Sequence, residues 1–218
     1  MISTVHPNPS PKTLLLTAGA FGTAVAEKIS LTDQVTVESL LDFSDQLPSA
    51  ISDYDYIAVV SWRPYIKLYQ EIDELCFEHN IRWSVTDLSG QLLRCGPLVI
   101  PGHGACYHCF YQRVSCHRTA VERENVVESY LERDPTLGVE GFVQPMVNIA
   151  ATALLENGRA DQAQASSFRF IDVLASSVRI SKVIGIHNCS RCRPKPEGFD
   201  QKDRFIESMV PTLEEILD

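Results

Sequence analysis

Positive charge is scarce in this chain: 19 Lys and Arg stand against 28 Asp and Glu, a formal net charge of −9. Affinity for a phosphate backbone comes from Lys and Arg displacing counterions, so the balance argues against nucleic acid as the main partner. No run of about 18 apolar residues occurs, which argues against a membrane-spanning helix. The opening stretch MISTVHPNPSPKT has neither a basic n-region nor an apolar h-region. It is therefore not a secretory signal, and a cytoplasmic protein is expected. Internal repeats and low-complexity linkers are also missing. What remains is a chain of 218 residues, 44% hydrophobic and 22% charged, enough for one core that folds without staples. Its seven cysteines, in a reducing compartment, point to metal ligands or redox groups rather than a disulfide framework.

Periodicity predicts an α/β domain over residues 13–195. A proline-spaced, extended lead-in over 1–12 precedes it, and an acidic amphipathic tail over 196–218 follows. Thr13 to Thr17 reads as a strand. Ala20 to Ser30 reads as a helix, with Phe21, Val25 and Ile29 on one face. Further strands are expected over 34–39 and 54–62, a weak helix or loop over 44–52, and a helix from Tyr65 to His79. IRWSVTDLSG, QLLRCG and PLVIPG read as three short strands, 119–133 and 142–157 as helices, and 168–173 and 176–186 as strands. The early β-α-β order implies an open, Rossmann-like sheet, and the later strands an antiparallel portion.

Two Cys-x-x-Cys pairs lie far apart, Cys106 with Cys109 and Cys189 with Cys192. One such turn brings two sulfurs to one metal ion, and two turns supply the four thiolates of a structural zinc site. Each pair is expected at a strand end, beside Gly102 and Gly104 or Pro194 and Pro196. The alternatives are a thioredoxin-like redox pair, which should open a helix and needs no second pair, and unrelated buried thiols. His108, Cys116 and His117 are weaker competing ligands, outside the doubled spacing.

TAGAFG at 17–22 has the outline of a dinucleotide turn, with Thr17 in the first glycine position. Gly19 would let the backbone approach a phosphate and Gly22 would allow close helix packing, with Glu38 near a ribose-binding position. A turn of small residues kept for packing is the favoured alternative, and a nicotinamide-dependent dehydrogenase is the disfavoured one.

Taken together, YDYIAVVSWRPYIKLYQEIDELCFEHNIRW, GPLVIPGHGACYHCFYQR and FRFIDVLASSVRISKVIGIHNCSRC resemble the ubiquitin-activating superfamily of the ThiF and MoeB type. More narrowly, they resemble the cyclodehydratase partner proteins of azole-modified peptide biosynthesis (thiazole/oxazole bacteriocins). The resemblance covers about residues 13 to 193. It implies structural zinc on Cys106, Cys109, Cys189 and Cys192. Adenylating members of the superfamily carry an Asn-Leu-x-Arg-Gln stretch and a lysine after the second strand, and a magnesium-binding Asp after a later one. Here the chain reads VTVESLLDFSDQ, then Ser61-Trp62-Arg63. ATP chemistry needs cations to neutralise its phosphates. The expectation is therefore that this chain uses no ATP and that Gly19 and Gly22 are a vestigial nucleotide turn.

The resemblance further implies a scaffold or activator of a YcaO-type, ATP-dependent partner acting on a ribosomally made precursor peptide, in a homodimer or hetero-complex. With about a dozen residues before the first strand, no N-terminal winged-helix module is expected, so leader recognition has no obvious seat. The competing expectation is an active adenylating or sulfur-transfer enzyme using Cys116, its pKa lowered by Arg113, His117 and Arg118. Trp62 and Trp83 are either core or a peptide surface. His103 is a base or a structural loop residue, and Arg63 a carboxylate binder or, by default, solvated.

Overall fold

The computed structural model describes residues 11–42, 51–116, 126–127, 129–131, 133–134 and 136–193. Seven strands form one sheet: β1 Thr13–Ala18, β2 Val35–Ser39, β3 Tyr56–Ser61, β4 Arg82–Ser89, β5 Leu92–Val99, β6 Ser167–Asp172 and β7 Ser177–Lys182. Their order in space is β2-β1-β3-β4-β5-β6-β7. The first four run parallel and the rest antiparallel, so the sheet has the two portions expected. Among the described residues, helices α1 Gly19–Ser30, α2 Ile66–Glu78, α3 Tyr107–Ser115 and α4 Gln144–Arg159 pack on it.

The sheet is apolar on both faces, and each face has its own core. Leu15, Ala58 and Val60 point to the side where Phe21 and Val25 of α1 meet Val147, Ala150 and Leu154 of α4. Leu16, Ile57, Val59 and Val85 point to the other side, where α2, α3 and all four paired cysteines pack. Every residue of β3 is buried, as befits a central parallel strand covered on both faces. At the opposite extreme, all six residues of β7 are exposed, Val178 and Ile180 included.

Three short strands expected between 81 and 101 are two. Gly96-Pro97 suggested a turn, yet β5 runs through it. Proline is tolerated because β6 pairs only Leu92–Cys95 and the β4 register shifts across this stretch, so no ladder bond is asked of it. Gly96 is required there: its φ is +99°, and a Cβ would lie 2.7 Å from Ser167 O. The helix expected over 119–133 falls largely outside the described residues. So do the tail from 194, the lead-in to residue 10, and most of 44–52, whose last residues form a 3-10 turn, Ile51–Asp53.

Candidate functional site

The four paired cysteines meet. Cys106 Sγ lies 3.7 Å from both Cys109 Sγ and Cys189 Sγ, and Cys109 Sγ lies 3.5 Å from Cys192 Sγ. All four sulfurs fall within 4.8 Å of one another. Zinc–sulfur bonds of about 2.3 Å place the corners of a tetrahedron about 3.8 Å apart, so the donor set and its spacing fit zinc. These separations are too long for disulfides. A closed shell of four thiolates leaves no open position for substrate, so zinc here would supply cross-linking and no catalysis. Neither His108 nor Cys116 belongs to the group. Cys116 is exposed at the end of α3, and His117 lies outside the described residues.

Local structure differs from expectation at the first pair. Cys106 caps α3 and Cys109 sits in its first turn, so this pair does open a helix, which the redox alternative demanded. What distinguishes the site is the second pair, delivered 83 residues away to the same point. Gly102 and Gly104 do precede the helix in a turn, both with positive φ. Backbone amides stabilise the sulfurs: Ile186 N–H donates to Cys109 Sγ at 3.3 Å. Burial pushes the Cys106 thiol well above its ordinary value and the Cys109 thiol up to about 11. Burial acts on Cys189 in the same direction. The amides of Cys192 and Arg191 and the sulfurs of Cys109 and Cys106 outweigh it and bring Cys189 to about 7. Cys189 is thus a readier thiolate than Cys106 or Cys109, whose protons a metal ion would have to displace.

Beneath the cluster lies an aromatic bed. Tyr107 meets Tyr69, Trp83 and Phe110 at ring-centroid distances of 5.7, 5.4 and 5.6 Å, and Phe110 continues to Phe168 at 5.3 Å. Trp83 is fully buried, a core residue. A buried ion pair, Asp87–Arg94, ties β4 to β5, with the guanidinium 5.2 Å from the Phe110 centroid. Burial raises the Asp87 carboxyl against the pull of Arg94.

The glycine turn is the second site read from the sequence. The sheet order places β2 and β3 on opposite sides of β1. The crevice between the carboxyl ends of β1 and β3 is therefore the switch point where open α/β sheets hold ligands. Here Trp62, directly after β3, fills it. A Cβ on Gly19 would lie 1.9 Å from its indole and one on Gly138 2.3 Å, so the ring is wedged between two glycines. Trp62 N–H donates to Ala18 O at 3.2 Å, Val139 N–H to Trp62 O at 3.3 Å, and the indole N–H to Tyr65 Oη at 3.0 Å. Gly22 packs α1 onto the sheet, its Cα so near β3 that a Cβ would sit 2.9 Å from Val60 O. Arg63, read by default as solvated, is only 7% exposed. Its guanidinium donates to Leu131 O at 2.9 Å and Leu137 O at 2.7 Å and stacks on Tyr65 at 4.0 Å. The correction has a simple cause: a cation after a buried strand end finds backbone carbonyls of the covering segment before it finds water. His103 is an exposed turn residue whose backbone N–H bonds Ile100 O.

Sequence reasoning missed Asp73. Tyr69, Ile72, Asp73 and Cys76 are the buried residues of α2, an i, i+3, i+4, i+7 stripe. A carboxylate inside an apolar stripe was the available signal.

No protein-family profile and no curated protein matches the sequence. Solved structures do match. The heterocyclase TruD superposes with TM-score 0.61 at 13% identity, over 92% of this chain and 32% of its own. A chain of the E. coli microcin synthetase McbBCD complex gives TM-score 0.61 at 13% identity, over 84% and 70%. E. coli MccB gives 0.55 at 15%, over 85% and 66%. Heterocyclase and microcin-synthetase chains share this fold. The chain spans about a third of TruD and two thirds of MccB. Among the described residues no helix is long and apolar enough to cross a membrane.

Proposed function

We propose that this chain is a non-adenylating, ThiF-like support subunit of a cytoplasmic complex that forms azoline heterocycles in a ribosomally made peptide. A YcaO-type partner uses the ATP, and this chain binds and activates that partner. The observation that carries the reading is Trp62: its indole occupies the crevice where a nucleotide's phosphates would need backbone approach, bonded to Tyr65 Oη, while the Trp62 backbone is bonded to Ala18 and Val139. The residues at the end of β3, Ser61-Trp62-Arg63, bring no carboxylate for magnesium, and Arg63 is committed to Leu131 and Leu137. Phosphoryl and adenylyl transfer depend on such cations. Fold likeness to TruD and to a McbBCD chain supports the pathway. The four cysteines hold structural zinc in this reading, and the complex contains the precursor peptide and either a second copy of this chain or the partner alone.

The test is ATP–pyrophosphate exchange and ATP hydrolysis, measured on this chain alone, on the YcaO-type protein of its native host, and on the two together. The expected result is no exchange by this chain and a partner ATPase stimulated by its addition. Exchange by this chain alone, abolished in Cys116→Ser or not, would overturn the reading in favour of an adenylating enzyme.

A further inference from the structure

Asp73 projects from α2 into the core with its carboxylate fully buried, and three different segments converge on it. Trp83 Nε1 of β4 donates to Oδ1 at 3.1 Å. The backbone N–H of Tyr107, the residue after Cys106, donates to the same oxygen at 3.2 Å. Arg191, between Cys189 and Cys192, donates to Oδ2 through Nη1 and reaches Glu74 through Nη2. One carboxylate thus grips both halves of the sulfur cluster from a helix that supplies no sulfur.

We propose that Asp73 is the positioning residue of the metal centre, setting the two cysteine turns at tetrahedral spacing through Tyr107 N–H and Arg191. The proposal rests on the cluster being a zinc site. Its chemistry is specific. A four-thiolate zinc centre carries a net negative charge, which Arg191 faces, and a carboxylate accepts at both oxygens. An amide of the same size cannot do this: its NH₂ would confront the guanidinium donors. Groups that orient the segments around a metal site typically set its affinity by about 10–100-fold.

The experiment measures zinc in the purified full chain, then the rate of zinc release to an excess of a chromophoric chelator, together with the visible spectrum of the cobalt-substituted protein. In Asp73→Asn, release should speed by about 10–100-fold and the cobalt bands should shift. Glu74→Gln, at the exposed end of the same guanidinium, should stay within about threefold of the parent. Arg191→Gln should match Asp73→Asn, and the double variant should add little to either, as expected when two groups act as a unit. If Asp73→Asn fails to fold, Arg191→Lys, which keeps the charge but loses the two-headed fork, must still accelerate release. A zinc-bearing parent whose Asp73→Asn or Arg191→Lys variant releases zinc at the parental rate, with an unchanged cobalt spectrum, would overturn this proposal while leaving the zinc site intact. A parent without zinc would overturn both.

Discussion

The glycine crevice and the cysteine cluster each use the start of a helix, α1 at Gly19 and α3 at Cys106 and Cys109, and both were marked by small sequence motifs, yet they come out opposite. The crevice has the outline of a nucleotide turn, with strand before, helix after and Gly19 at a φ of +72°, and it is filled by the chain's own Trp62. The cluster has ligands 83 residues apart, and they assemble with the spacing a metal requires. A local motif fixes backbone shape and leaves occupancy to whatever residue arrives from elsewhere. A doubled motif constrains both ends, and so carries its partner within itself.

The comparison can be broken most forcefully at the cluster. Replacing Cys106 or Cys189 by Ser removes one of four donors, and since metal binding is part of the folding free energy, zinc should be lost. A stability loss of about 4 kcal/mol, within the range for losing a metal site, would lower the melting temperature by roughly 8–16 °C in a chain of this length. A parent without zinc by elemental analysis, with both variants melting alongside it, would end the zinc reading.

At the crevice, Gly19→Ala should cost about 2–4 kcal/mol, combining a strained left-handed backbone with overpacking against the indole. Making the same change in a Trp62→Ala background separates the two parts. Only the backbone share, about 1 kcal/mol, should remain; an undiminished penalty would mean that the ring does not press on Gly19. Trp62→Ala alone should cost somewhat less than the 3–5 kcal/mol typical of a fully buried aromatic, because the ring is only half-buried. It should gain no ATP binding by calorimetry, since the stretch VTVESLLDFSDQ offers no Lys or Arg for phosphates. If it does gain binding, the crevice is a working site with a plug, and the contrast with the cluster largely dissolves. The smallest effect belongs to Cys116→Ser: the thiol is exposed and outside the cluster. The change should move the melting temperature by no more than about 1–2 °C, in line with a surface shift within ±0.5 kcal/mol. Loss of zinc from this variant would show that the ligand set was misassigned.

Much of this architecture was legible because it repeats short physical rules. The buried run of β3, the amphipathic α1 with Phe21, Val25 and Ile29, and the strand pair at the C-terminal end all follow from period and burial. The failures share one cause. Pro97 looked like a break between two short strands, and it is harmless because the pairing of β5 with β6 stops at Cys95 opposite Arg169 while the register with β4 shifts across this stretch. Arg63 looked solvated because its acceptors, Leu131 O and Leu137 O, lie 68 and 74 residues on. Asp73 was overlooked because its partners are an indole, a backbone amide and an arginine from three distant segments. In each case the deciding neighbour is remote in sequence, and periodicity carries no information about it. The cysteines were the exception because their chemistry is rare enough to name its own partners.

The distance between the two cysteine turns also sets a timetable. During synthesis the first turn and its helix emerge with only two of their four thiolates. Their counterparts, at the end of the last sheet hairpin, emerge 83 residues later. At synthesis rates of about 5–20 residues per second, that interval is roughly 4–17 s, during which the parallel half of the sheet already has every strand it needs. Capture of an ion by all four thiolates would therefore be a late event, coming only after β7, the last strand among the described residues, has been made.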